Sequence, residues 1–185
     1  IKRGNMEKDF LDYLRLSDAI RNGYRNSLLP INWGWSFILE EIMEQSIPNL
    51  FEIVYSNVGG TKYNVEEQKY MDFIPGFLLI HIDEWISHYR KLAQITNNIY
   101  FPILCNYSSD YIAMNGLTGE ICEIFHDEES IGVLFKDSNH FFKTLVANYK
   151  NNVYFLDDDG YLDYDEDKEY EVASQLNPDV AYWKI

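Results

Sequence analysis

Apolar residues at Met6, Phe10, Tyr13 and Leu14 recur at the i, i+4, i+7, i+8 spacing that lines one face of an α-helix, which predicts an amphipathic first helix ending before Asn22-Gly23. Leu28-Leu29-Pro30 leads into a second helical stretch whose Trp35, Leu39, Ile42 and Met43 share a face. Pro48 stops it, because proline biases the preceding residue away from helical angles. The run Leu50-Phe51-Glu52-Ile53-Val54-Tyr55 reads as a strand, and Asn57-Val58-Gly59-Gly60-Thr61 supplies the glycines that a turn with positive φ requires. After a polar loop over 62–72 and a turn at Ile74-Pro75-Gly76, Phe77-Leu78-Leu79-Ile80 predicts a short buried strand. Asp83 stands where an N-cap belongs, before a helix carrying Trp85, Ile86, Tyr89 and Leu92.

The middle of the chain reads as antiparallel sheet. Residues 101–105, 111–115 and 120–125 are short β-prone runs, and Gly116 and Gly119 punctuate the last pair as a hairpin. Asp137 or Ser138 caps a further helix with a wide stripe of Phe141, Phe142, Leu145, Val146 and Tyr149. A strand at 153–156 then runs into an acidic segment. No period of 20 to 50 residues repeats and no Pro, Gly or Ser-rich linker divides the chain. The expectation is one α+β domain over 1–185, with a mainly antiparallel sheet flanked by helices, a core over about 24–156 and an acidic C-terminal extension at 157–185.

Charge changes this picture more than overall composition does. The formal charge is −15, and residues 157–171 hold nine acids and one lysine, so more than half of the excess is local. Such a block is read either as a solvated, partly disordered tail, since like charges repel, or as a patch in which Tyr161, Tyr164 and Tyr170 add ring contact to the charge. On the second reading the candidate partner-binding residues are Asp157, Asp158, Asp159, Tyr161, Asp163, Tyr164, Asp165, Glu166 and Asp167. The field repels phosphate backbones and anionic lipid, which disfavours nucleic acid and membrane, and it speeds the approach of a basic protein.

Catalytic and metal chemistry finds little support in the spacing. The four histidines, 81, 88, 126 and 140, lack the one-turn separation that brings two imidazoles onto one ion; His81 and His88 share a helix face only if that helix begins before Asp83. Cys105 and Cys122 form no Cys-x-x-Cys and sit in no nucleophile motif. Gly59-Gly60-Thr61-Lys62 lacks P-loop spacing and reads as a tight turn. Placing Gly160 at the sixth position of an EF-hand loop puts Phe155 at the first, so that calcium register fails. Paired carboxylates carry no information here, because 30 acids make coincidence cheap. The expectation is no catalytic residue, no metal and no cofactor. Unpaired thiols, no apolar run of roughly 18 residues and no apolar stretch at the N-terminus point to a cytoplasmic location.

Several spaced segments together resemble the SUKH superfamily of bacterial immunity proteins and the yeast cell-wall assembly regulator. They are Leu29-Pro30, the Trp-bearing helix beside it, Asn57-Val58-Gly59-Gly60-Thr61, and Ile74-Pro75-Gly76-Phe77-Leu78-Leu79-Ile80 with Glu84 behind it. Phe101-Pro102-Ile103, the hairpin from Asn115 to Glu120-Ile121, and Phe141-Phe142 with Leu145 complete the set, in order over about 24–150. Asn106-Tyr107-Ser108-Ser109-Asp110 departs from the glycine-rich turn frequent in relatives, and nothing after Asp157 matches. The resemblance implies a mainly antiparallel sheet flanked by helices. For bacterial members it also implies a cytoplasmic, non-catalytic protein that neutralises a toxin domain, often a nuclease, by direct binding. Two other readings are a regulatory scaffold that binds signalling proteins, and an enzyme acting on a small cationic or sugar substrate. The enzyme reading calls for a deep pocket with convergent carboxylates of raised pKa.

Overall fold

The 3.6-residue spacing of Met6, Phe10, Tyr13 and Leu14 builds helix α1 (Lys2–Ile20), and that face is buried. The computed structural model describes residues 2–44 and 46–184. Helix α1 lies along α6 (Ser138–Lys150): Phe10 meets Phe142 at 5.7 Å between ring centroids, and Tyr13 meets Tyr149 at 5.1 Å. Between them come α2 (Tyr24–Ser27), α3 (Trp35–Glu40), α4 (Asn49–Tyr55) and α5 (Trp85–Ile95). Asp137 caps α6 by accepting from the His140 amide at 2.8 Å.

Five strands form one antiparallel sheet in chain order: β1 (Leu78–Leu79), β2 (Tyr100–Cys105), β3 (Tyr111–Asn115), β4 (Ile121–Ile124) and β5 (Gly132–Phe135). Helices lie on both faces, as the α+β expectation requires. Period two turns Tyr111 and Ala113 toward α5, where the Tyr111 hydroxyl meets His88 Nδ1 at 2.9 Å, and turns Ile112 toward α6, where it shares a cavity wall with Phe141 and Leu145. Because Ile112 pairs with Glu123, the same alternation places the Glu123 carboxylate on the α6 face. The β2–β3 register shifts between Pro102 and Leu104, and the Pro102 carbonyl accepts from the Trp85 indole at 2.7 Å.

Four expectations are corrected. Residues 50–55 lie in a helix, α4, led by Pro48 in extended backbone. A short apolar run fits a buried helix as well as a buried strand, and here Leu50, Phe51, Ile53, Val54 and Tyr55 are all buried. Asp83 does not cap α5 with its side chain. A 3-10 turn, Ile82–Glu84, precedes that helix, and His81 Nδ1 accepts from the Asp83 amide at 3.1 Å. Strand β5, which the pattern did not predict, pairs along β4. Finally, the core runs past both ends of 24–156: Phe10, Tyr13 and Leu14 belong to it, and so do Leu162, Ala173, Val180 and Trp183.

Gly60 has φ +111 and lies where three segments meet, so that a Cβ there would stand 2.5 Å from the Ile80 carbonyl oxygen. Its carbonyl accepts from the Leu29 amide at 2.9 Å, and the Gly59 carbonyl accepts from the Ile82 amide at 3.0 Å. Among the described residues, no helix is long and apolar enough to cross a membrane.

The C-terminal stretch is a folded unit. Strands β6 (Tyr154–Leu156) and β7 (Leu162–Tyr164) form a hairpin, followed by α7 (Glu166–Leu176) and a last 3-10 turn, Ala181–Trp183. Helix α7 is tied to α6 by Asn177 Nδ2, which donates to Thr144 Oγ1 at 3.0 Å. The Trp183 indole donates to the Leu134 carbonyl at 2.7 Å, so the last turn covers the open edge of the sheet at β5. The solvated-tail reading of the acidic block therefore falls.

Candidate functional site

Aspartates in the block divide by what they touch. Asp157 Oδ1 accepts from the amides of Asp159 and Tyr161, both at 2.9 Å, and shapes the hairpin turn with Gly160 at φ +86. Asp163 Oδ1 accepts from the Tyr164 amide at 2.8 Å, and Asp165 caps α7 by accepting from the Lys168 amide at 3.1 Å. Asp158, Asp159, Glu166 and Asp167 face solvent. Glu166, Asp167 and Glu169 occupy the first turn of α7, where the positive end of the helix dipole favours anions. Of the nine predicted residues, Tyr161 lies exposed on the hairpin, and Tyr164 lines a cavity.

That cavity, about 250 Å³, lies between the α6 face of the sheet and the C-terminal unit. Its wall is largely aromatic, with Phe125, Phe135, Phe141, Tyr154, Tyr164, Tyr182 and Trp183. Two carboxylates enter it, Glu123 from β4 and Glu169 from α7. Burial raises the Glu169 carboxyl to about 7, with Glu166 and Glu123 adding repulsion. Burial also raises Glu123, although the Tyr182 hydroxyl pulls the other way. Asn148, 2% exposed, lines the same space: its Nδ2 donates to the Tyr154 hydroxyl at 3.1 Å, while its Oδ1 has no partner.

Sequence reasoning named neither Glu123 nor Asn148, and it counted Glu169 only as part of the acidic block. One signal was present. In Ile121-Cys122-Glu123-Ile124, alternation sets Glu123 on the face that Ile121 shares, an acid at a core position.

A second cavity, about 310 Å³, opens beyond β2 on the α5 side, with His81, Glu84, His88, Cys105 and Tyr111 in its wall. The turn at Ile82–Glu84 starts the helical winding early, so both histidines reach this space. Nε2 of His88 is 4.0 Å from Cys105 Sγ and 3.8 Å from Glu84 Oε2. Burial pushes the Cys105 thiol up to about 12, with Glu84 adding to it, so it is protonated at neutral pH. Burial lowers His88, with Glu84 opposing. Among the described residues, the group whose ligand atoms converge as a metal would require is Asp110, His126 and Asp127. Hydrogen bonding accounts for its core, since Asp110 Oδ1 meets His126 Nδ1 at 2.8 Å and accepts from the His126 amide at 3.0 Å.

Fold and site define a class by architecture: an α+β domain with a five-stranded antiparallel sheet between helices, and an acid-walled aromatic cavity under its C-terminal unit. No family model matches the chain, and no curated protein matches it.

Proposed function

We propose that this chain is a non-catalytic, SUKH-like immunity protein that neutralises a basic toxin domain by direct binding in the cytoplasm. The observation that carries the reading is that the local excess of acids sits on an ordered unit docked to the domain, with Asp158, Asp159, Glu166, Asp167 and Tyr161 turned to solvent. A fixed array of charge steers a cationic partner and repels phosphate, so nucleic acid is a competitor for that partner and not a ligand here. A toxin that acts on nucleic acid must present cations to it, and this surface matches such a site. Buried, unpaired Cys105 and Cys122 suit a reducing compartment. Co-expression with the product of a neighbouring toxin gene should rescue growth and yield a complex whose affinity falls steeply between 50 and 300 mM salt, about 100-fold for a charge-steered pair. Unchanged survival would overturn the reading. A scaffold that binds signalling proteins would present the same surface, and gene neighbourhood separates the two.

A second reading is favoured by one observation: Glu123 and Glu169 are convergent carboxylates of raised pKa in a cavity, the arrangement that an enzyme for a small cationic or sugar substrate requires. Turnover of such a substrate, abolished by Glu169→Gln, would establish it.

A further inference from the structure

The cavity beneath the C-terminal unit presents acceptors without donors of matching charge. Two carboxylates line it beside Asn148, whose buried Oδ1 has no partner, and no lysine, arginine or histidine lines it. A buried amide oxygen without a partner costs about 1–3 kcal/mol, and two carboxylates sharing one space repel each other. An occupant that relieves both must bring positive charge and N–H donors together. A sugar brings donors without the charge. A hard metal ion brings the charge, yet it needs six or more oxygens and here meets ring faces instead. Ring faces are attractive to organic cations, whose heads they hold through the aromatic quadrupole and whose stems they cover.

We propose that this cavity is a receptor for an organic cation, an alkylguanidinium or alkylammonium group whose head lies between Glu123 and Glu169, donates to Asn148 Oδ1, and rests its stem on Tyr164, Tyr182 and Trp183. Tyr164 and Tyr182 are 39% and 38% exposed, so the cavity communicates with solvent past them. The cation comes either as a free small molecule or as an arginine or lysine side chain of a partner. Only the second source rests on the immunity reading, where it would supply the buried anchor that an acidic surface lacks by itself.

Binding is coupled to pH. Glu169 faces Glu166 on its own helix, Glu123 from β4, Tyr154 and Tyr164 from the hairpin and Tyr182 from the last turn, while α6 contributes neutral Asn148 and Thr144. With its carboxyl titrating at about 7 in the empty cavity, cation affinity falls about fivefold from pH 8 to pH 6.

The test is titration of the full chain with butylguanidinium and with butylammonium, followed through the NMR signals of the Trp183 indole and the Asn148 carboxamide. Saturable shifts are expected with either cation, about tenfold weaker binding is expected in Glu169→Gln and in Glu123→Gln, and the pH dependence is lost in Glu169→Gln. Neutral butylurea is the control for shape. No shift with either cation, an equal response to butylurea, or unchanged affinity in both folded variants would overturn the proposal. A capped Gly-Arg-Gly peptide separates the sources: binding as tight as the free cation assigns a partner side chain, and exclusion of the peptide assigns a small molecule. If the titration fails while a toxin complex still forms, only the cavity inference falls. If the cation binds and no toxin is neutralised, only the immunity reading does.

Discussion

Arg21 Nη2 donates to the Tyr149 hydroxyl oxygen at 2.9 Å, joining the end of α1 to α6 through a fully buried guanidinium. Among the described residues, its other partners are Ser17 Oγ and the carbonyls of Lys69, Asp72 and Phe73, and its charge lies 3.7 Å above the Tyr24 ring. Two backbone oxygens of the polar loop, those of Lys69 and Asp72, thus depend on one side chain, while the Phe73 carbonyl also accepts from the Tyr13 hydroxyl; a ring face lies below the guanidinium in place of a counter-ion. Arg21→Met should lower the free energy of unfolding by about 3 kcal/mol, because it strands those carbonyls. Arg21→Lys should lose less, keeping the charge without the planar fork. Urea unfolding checks both.

Glu169 sets a pH dependence of stability. Its carboxyl titrates at about 7 in the folded chain against an ordinary 4.5, so the native state holds a proton that the unfolded chain has released between those values. The associated stability is fully present below pH 4.5 and is lost as pH rises through 7. Glu169→Gln should therefore match the natural chain near pH 4.5 and exceed it by on the order of 2 kcal/mol at pH 8. Thermal unfolding at the two pH values decides this, and equal differences at both would refute the burial of that group.

Asp157 and Asp165 should differ from Asp158 and Asp167 despite their common charge. The first two accept amide hydrogens in a turn and at a helix cap, whereas the second two lie open to solvent. Alanine at Asp157 or Asp165 should cost about 1 kcal/mol each, and alanine at Asp158 or Asp167 should leave stability within about 0.5 kcal/mol or raise it slightly by relieving repulsion. Amide exchange of α7 would locate the fraying in Asp165→Ala.

Cys105 and Cys122 should resist alkylation in the folded chain. Burial pushes their thiols to about 12 and about 11, so the thiolate that reacts is scarce at pH 7.5 and poorly reachable. Labelling by iodoacetamide should accelerate about 100-fold on unfolding in urea. Fast native labelling of Cys105 would instead reveal activation by His88.

Legibility followed how local each signal was. Spacing located α1 from four side chains, the three central strands from β-prone runs, the last two punctuated by Gly116 and Gly119, and the α6 cap from Asp137. It failed at 50–55, where helix and strand bury the same side chains, and at Gly132–Phe135, whose short run follows an exposed polar loop. Tyr164 was legible as a candidate only through its place in the acidic block. Its part in a cavity depends on pairing with Tyr154 across a hairpin and on α6 lying behind it.

By itself, then, the order of residues determined the helical and strand periods, the turns that need glycine, the α+β class and the position of the acidic block, because each depends on neighbours a few residues apart. Tertiary structure alone decided that the acidic block folds against the domain, that Arg21 is buried without a carboxylate, and that Glu123, Asn148 and Glu169 share one space. Those outcomes turn on which distant surfaces exclude water from one another, and burial, which fixes charge state and unpaired acceptors alike, is a property of packing and not of spacing.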